Sequence, residues 1–307
     1  MRFEEHHPMI LLAYFVMVIL CGMYYNHPVF LLLSFLSSFS YWSYWRIKKT
    51  ANTKNASCLQ TGTGIFWRFF FLVACIVLFA GYYGYGNHFG TTYLMKNRIG
   101  NYITLEALIY GIVIGMRIAI ILMWMGCVHQ VMTADKIVYL FGRISPRLSL
   151  YIAISLRTVP RIKEQARKIN DAQSSIGKGM SQGNVIMRFR NGLRMLSILS
   201  TWSLEQFKNY SDSMKSRGYT LKGRTAFSIY RFSNFDRVFV IWISFLQTVL
   251  LCGAAFYQNT AEYNPKLFIY PVTPMSFFFY GAYMMFLGLP FLLNVHSCIC
   301  KVKKTIC

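Results

Sequence analysis

Acidic residues are scarce in this chain. Its 307 residues hold 10 Asp and Glu against 32 Lys and Arg, and charged residues of all kinds make up only 14%, where soluble domains carry about 25%. With 55% hydrophobic and 17% aromatic residues, that shortage excludes an ordinary soluble domain and points to an integral membrane protein. Catalytic signatures are missing too. The sequence has no GxxxxGK[ST] phosphate loop, no HExxH, no GxSxG and no paired acidic motif of the kind an intramembrane prenyl transferase needs, so hydrolysis of ATP, zinc peptidase chemistry and serine hydrolysis have no residues to run on. None of the eight cysteines (Cys21, Cys58, Cys75, Cys127, Cys252, Cys298, Cys300 and Cys307) forms a CxxC pair. A disulfide framework and a zinc site are therefore not expected, and the thiols read as small apolar packing groups. The net charge of +22 comes without any nucleic-acid signature, so no nucleic acid is expected as a partner. Cytoplasmic loops account for the charge instead.

What is present is a series of apolar runs. Roughly 20 apolar residues cross a hydrocarbon core, and six stretches approach that length: Met9 to Tyr24, Val29 to Trp45, Ile65 to Tyr83, Leu105 to Val128, Val238 to Tyr257 and Met275 to Asn294. The expected fold is an all-α integral membrane protein with about six transmembrane helices. Leu148 to Leu156 is too short to span and is expected to lie at the interface or re-enter. The N-terminus, with Arg2 followed by Glu4 and Glu5, does not read as a cleaved targeting peptide.

Lys and Arg set the expected topology. Residues 129–237 hold 19 Lys or Arg against 6 Asp or Glu, and the segments around Arg46 to Arg68 and Lys301 to Lys304 carry basic residues without acids. The positive-inside bias puts all three in the cytoplasm, with both termini on that side. Three regions follow: N-terminal spans over 1–128, a cytoplasmic or interfacial insert over 129–237, and C-terminal spans with a basic tail over 238–307.

The insert is helical in pattern. From Pro160, a favourable first helical residue, Ile162, Ala166, Ile169, Gln173 and Ile176 fall on one stripe at 100° per residue, ending at Gly177 and Gly179. From Arg194 to Arg217, Leu199, Trp202, Phe207, Tyr210 and Met214 share a face, ending at Gly218. Each helix would be about 25–35 Å long. Arg217 falls along the apolar stripe, where an unpaired charge is costly to bury, so an external acceptor is expected. Arg217 and Lys178 also complement the negative C-terminal ends of their helices. The glycines between residues 177 and 192 read as a hinge.

The runs Arg157-Thr158-Val159-Pro160-Arg161, Ala172-Gln173-Ser174-Ser175-Ile176-Gly177 and Asp212-Ser213-Met214-Lys215-Ser216-Arg217-Gly218-Tyr219 resemble the transmembrane T component of energy-coupling factor (ECF) transporters, the EcfT/CbiQ family. Asn87-His88-Phe89-Gly90 and Gly223-Arg224-Thr225 are similar to that family as well. The resemblance implies a non-catalytic prokaryotic cell-membrane subunit with two long amphipathic cytoplasmic coupling helices. Their ends would dock into two ABC ATPase subunits, identical or not, while the membrane part holds a small substrate-binding S component. ATP and Mg would be bound by the ATPases, and the cargo would be a vitamin or a transition-metal ion.

Carried over by position, the ATPase-coupling residues are Ser216, Arg217 and Gly218 at one tip and Ser175, Ile176 and Gly177 at the other. Arg157, Pro160, Arg161, Gln173 and Met214 would support the helices. Ile176 stands where the family has arginine, so either Lys178 substitutes by register or that tip docks through apolar contact.

Arg117 is the charge inside a span, and intramembrane charge is functional by default. Glu106, eleven residues away, is about 16 Å distant along a helix and is not its partner. His27, His88, His129 and His296 are too dispersed for a ligand set. Two other function classes remain beside the coupling subunit. A self-contained secondary carrier would need inverted repeats with broken helices, and no internal repeat is visible. An interfacial scaffold would bind anionic lipid through the positive face.

Overall fold

The computed structural model describes residues 3–51, 58–87, 89–96, 102–219, 221, 230–264 and 267–306. The described chain is almost wholly helical: α1 (Pro8–Tyr24), α2 (Pro28–Ala51), α3 (Cys58–Gly86), α4 (Leu105–Val131), α5 (Ala134–Ile144), α6 (Pro146–Ser175), α7 (Val185–Ser216), α8 (Asn234–Ala255) and α9 (Pro274–Ile306). Two short antiparallel strand pairs interrupt it, β1 (Tyr93–Lys96) with β2 (Tyr102–Thr104) and β3 (Ala261–Glu262) with β4 (Phe268–Ile269).

All six expected spans are helices. Phe69–Gly86, Leu105–Val131, Asn234–Ala255 and Pro274–Val295 are both long and apolar enough to cross a bilayer. The chain is an all-α, multi-pass integral membrane protein. Helix α1 is apolar but has 17 residues. Helix α2 is long enough at 24 residues, but Ser34, Ser37, Ser38, Ser40 and Ser43 dilute its hydropathy. Those hydroxyls do not disrupt the helix, because they can bond back to the preceding turn. Ser34 donates to the Phe30 carbonyl at 2.8 Å and Ser40 to that of Leu36 at 2.7 Å.

The chain forms two compact units, residues 1–133 with 230–307, and residues 134–229. In the first, α3 and α4 pack backbone to backbone. A Cβ at Gly111 would lie 2.8 Å from the Ala80 Cα, and one at Gly115 would lie 2.9 Å from the Ile76 Cα. This is the close approach that a small-xxx-small pair permits between membrane helices. Leu72, Ala119 and Met123 form a core beneath it with Phe35, Phe39 and Ile76. At the other end Phe3 is fully buried, edge-on to Tyr14, Phe15, Tyr41 and Phe239.

Polar groups close the ends of this unit. His6 Nδ1 lies 2.7 Å from Asp236 Oδ1, both side chains being 5% exposed. The same Asp236 forms a capping box with Ser233 at the start of α8. Glu106, buried at the start of α4, accepts from the backbone amides of Thr91 and Thr92 and from both their hydroxyls. Arg117 donates to Asn26 Oδ1, so Arg117 and Glu106 serve separate sites.

The second unit begins with α5 packed on α6 across Ser145, where the Ser149 hydroxyl donates to the Val138 carbonyl at 3.0 Å. Two expectations need correction here. Helix α6 starts at Pro146, not at Pro160, and absorbs the apolar run Leu148 to Leu156 as its first turns; Pro160 sits inside the helix. Helix α7 starts at Val185, nine residues before Arg194, so Gly192 lies within it. Between the two, residues 176–184 form a tied turn. Gln182 accepts from the Gly179 amide and donates to the Ser174 carbonyl, Asn170 accepts from the Met180 amide, and Asn191 donates to the Gly179 carbonyl.

Candidate functional site: two helix tips and the groove between them

Helices α6 and α7 run antiparallel. Arg161 stacks over the Tyr210 ring at 5.6 Å, Leu150, Ala153 and Ile154 share a cavity with Met214 and Tyr219, and Asn191 reaches Gly179. Tyr219 therefore stands level with the first turns of α6, about 23 residues from Ile176, which separates the two C-termini by ~35 Å at 1.5 Å per residue. The tips point in opposite directions.

The two ends are closed in the same way. Past α6, the Gly177 amide donates to the Ser174 carbonyl at 3.1 Å and the Lys178 amide to that of Gln173 at 2.9 Å. Past α7, the Gly218 amide donates to the Lys215 carbonyl at 3.0 Å and the Tyr219 amide to that of Met214 at 3.2 Å. This double closure is a Schellman motif, which needs a left-handed residue after the cap; Gly177 and Gly218 supply it.

The motif fixes the correspondence between the tips. Ser175 pairs with Ser216, Ile176 with Arg217, Gly177 with Gly218 and Lys178 with Tyr219. Register therefore puts Ile176, and not Lys178, in the arginine position. Gln173 and Met214 are also equivalent, each giving the carbonyl that accepts the longer bond. Only at the second tip is this pair apolar, with Met214 and Tyr219 lining one cavity, as a hydrophobic contact often does in such a closure.

Arg217 is exposed, as is Ile176 at 63%. Helix α7 ends at Ser216, and Arg217 is its exposed cap residue. Among the described residues it has neither an ion-pair nor a hydrogen-bond partner. Lys178 is exposed too. The stripe residues Ile162, Ala166, Ile169, Leu199, Trp202 and Tyr210 are at least partly covered, whereas Phe207 is 47% exposed.

Arg157, Thr158 and Arg161 line the groove between the helices with Trp202, Gln206 and Tyr210, while Pro160 is exposed on the outer side of α6. Glu164 and Lys168 form an exposed pair at 2.9 Å, and the hydrogen bond from Lys168 holds the Glu164 carboxyl below its ordinary range. The stitching residues Asn170, Gln182 and Asn191 escaped the sequence reading, since single amides in a polar turn carry no pattern. The described residues contain no group of three or more His, Cys, Asp or Glu able to hold a metal ion.

Comparison with known proteins gives a consistent picture. Residues 6–227 match the CbiQ family model, described as cobalt transport protein. The chain is 33% identical over 105 residues to the energy-coupling factor transporter transmembrane protein EcfT of Lactobacillus helveticus, covering 34% of this chain and 38% of that protein. It is 29% identical over 105 residues to EcfT of Lactococcus lactis subsp. cremoris, covering 34% and 39%. With EcfT of Ruminiclostridium cellulolyticum it shares 28% identity over 110 residues, covering 33% and 41%. The matched region spans about two fifths of each relative's length.

Proposed function

The chain belongs to the CbiQ family, and from that premise we propose that it is the transmembrane coupling subunit of an ECF-type ABC importer. In this reading it carries no ATP site itself. Two ABC ATPase subunits bind ATP and Mg, the two helix tips seat in them, and a small membrane-embedded S component supplies the substrate, a vitamin or a transition-metal ion. The protein would sit in the cell membrane of a prokaryote with both termini and the basic unit in the cytoplasm, as the Lys and Arg distribution favours.

The observation that carries this reading is the pair of equivalent helix ends, each presenting an exposed side chain with no partner of its own. A guanidinium there can make two parallel bonds to a carboxylate or to carbonyls, which fixes orientation as well as affinity. Ile176 offers apolar area instead, so the two tips suit two unlike grooves. Stiff helices of 30 and 32 residues would transmit displacement at a tip along their length.

The decisive experiment is affinity purification of this chain from its native membrane, followed by reconstitution. Two ABC ATPase subunits and a small hydrophobic protein should accompany it, and uptake by the reconstituted complex should require ATP hydrolysis. Uptake that proceeds without nucleotide, or a chain that purifies alone from mild detergent, contradicts the assignment.

A further inference from the structure

The groove between α6 and α7 holds two cavities, of about 210 Å³ and about 200 Å³, which meet at Thr158 and Tyr210. Their chemistry is unbalanced. Arg157 and Arg161 stand one helical turn apart and line adjoining cavities, and neither forms an ion pair among the described residues. The single acid in the groove, Glu164, is already held by Lys168 at 2.9 Å. The Tyr210 hydroxyl is shut off from solvent and has no hydrogen-bond partner; leaving such a group unsatisfied is costly. The Thr158 hydroxyl, which lines the same groove, donates to the Ile154 carbonyl at 2.7 Å. Beyond Arg157 the lining turns apolar, with Leu150, Ala153, Ile154 and Met214.

We propose that this groove binds the phosphate-bearing headgroup of an anionic phospholipid. The unpaired Arg157 and Arg161 hold the phosphate oxygens, the Tyr210 hydroxyl donates to one of them, and the neighbouring apolar cavity takes the start of an acyl chain. The assignment rests on charge complementarity and on the order of the lining, cationic and then apolar, which matches an amphiphile and not a free ion. Lys and Arg clustered on amphipathic helices attract anionic headgroups, and arginine suits phosphate because its donors form a planar fork. The site is independent of what the two tips engage.

The test is titration of the purified full-length chain in detergent with short-chain phosphatidylglycerol, short-chain phosphatidylcholine and inorganic phosphate, read by native mass spectrometry. Phosphatidylglycerol is expected to bind at least tenfold more tightly than the other two. The double variant Arg157→Gln/Arg161→Gln should lose about tenfold or more of that affinity, in line with hydrogen bonds to charged groups. Tyr210→Phe should lose a few-fold while leaving the helix content by circular dichroism unchanged. A control double variant, Arg188→Gln/Arg190→Gln, removes two exposed charges of α7 outside the groove and should bind as the wild type does. Equal binding of the two lipids, equal loss in the control, or phosphate binding as tightly as the lipid overturns the proposal. So does a groove that takes no phosphate-bearing probe, which would leave it to an acidic side chain of a protein partner.

Discussion

Gly177 and Gly218 share one backbone conformation, each with φ of +74°, each the first residue past the capped end of its long helix. That equivalence makes a pair of tips out of two segments that differ at their middle residue, Ser-Ile-Gly and Ser-Arg-Gly. It also predicts how they fail. An alanine in the left-handed region costs about 1 kcal/mol. Gly177→Ala should carry that cost alone, since a Cβ there meets nothing within 4 Å, whereas at Gly218 it would come within 3.1 Å of Leu221 Cδ1. Amide hydrogen exchange should report faster opening of the last turn in both variants, with the larger change in Gly218→Ala.

Under the proposed coupling role, Arg217→Ala should abolish ATP-driven uptake and leave the thermal unfolding of the chain unchanged, since the side chain is exposed and bonds nothing internal. Loss of a hydrogen-bonded partner in a complex costs on the order of 2–5 kcal/mol. Ile176→Ala should cost less. Uptake at the wild-type rate in Arg217→Ala, measured in the reconstituted complex, would falsify docking through that tip.

Gly111→Ala and Gly115→Ala act on the membrane unit. Each new Cβ would press on helix backbone at 2.8–2.9 Å, which side-chain rotation cannot relieve. Overpacking of this kind costs about 1–3 kcal/mol. Both variants should melt at lower temperature in detergent, and Gly84→Ala, where the nearest atom is 3.8 Å away, serves as the tolerated comparison.

His6→Ala should destabilise the same unit by about 2 kcal/mol, because Asp236 is buried and loses a 2.7 Å partner. His6→Gln, able to donate to the carboxylate, should recover much of the loss. Equal melting temperatures for wild type and His6→Ala would show that the contact contributes nothing.

A pH dependence follows from His27. Its Nδ1 accepts from the Val29 amide at 3.3 Å, and its Nε2 faces the Tyr270 carbonyl at the same distance, an arrangement that suits the neutral ring. Burial lowers its pKa from the ordinary 6.5, so the folded state binds fewer protons than the unfolded one. Stability then rises with pH and is lost as pH falls below about 6.5. Unfolding should be easier at pH 5.5 than at pH 7.5, and the difference should shrink in His27→Gln.

Apolar length was enough to mark the four helices that are long and apolar enough to cross a bilayer, because the bilayer admits few backbones and hydropathy reads them directly. Glycine at 177 and 218 likewise announced both helix ends. Pro160 misled, since proline favours a helix start as a local preference, whereas packing of α6 against α5 and α7 carries the helix through it. The Gly111-xxx-Gly115 spacing was legible but means close packing only once α3 lies alongside.

The sequence by itself determined that this chain is a helical membrane protein, where the two long helices of its basic insert stop, and that one of the two tips lacks arginine. Those are properties of composition and of neighbours within a few residues. Only the tertiary structure decided that α6 and α7 lie antiparallel with their tips ~35 Å apart, and that Arg157, Arg161 and Tyr210 share one groove. Side chains some 50 residues apart meet through the angle and register of two packed helices, which no local pattern encodes.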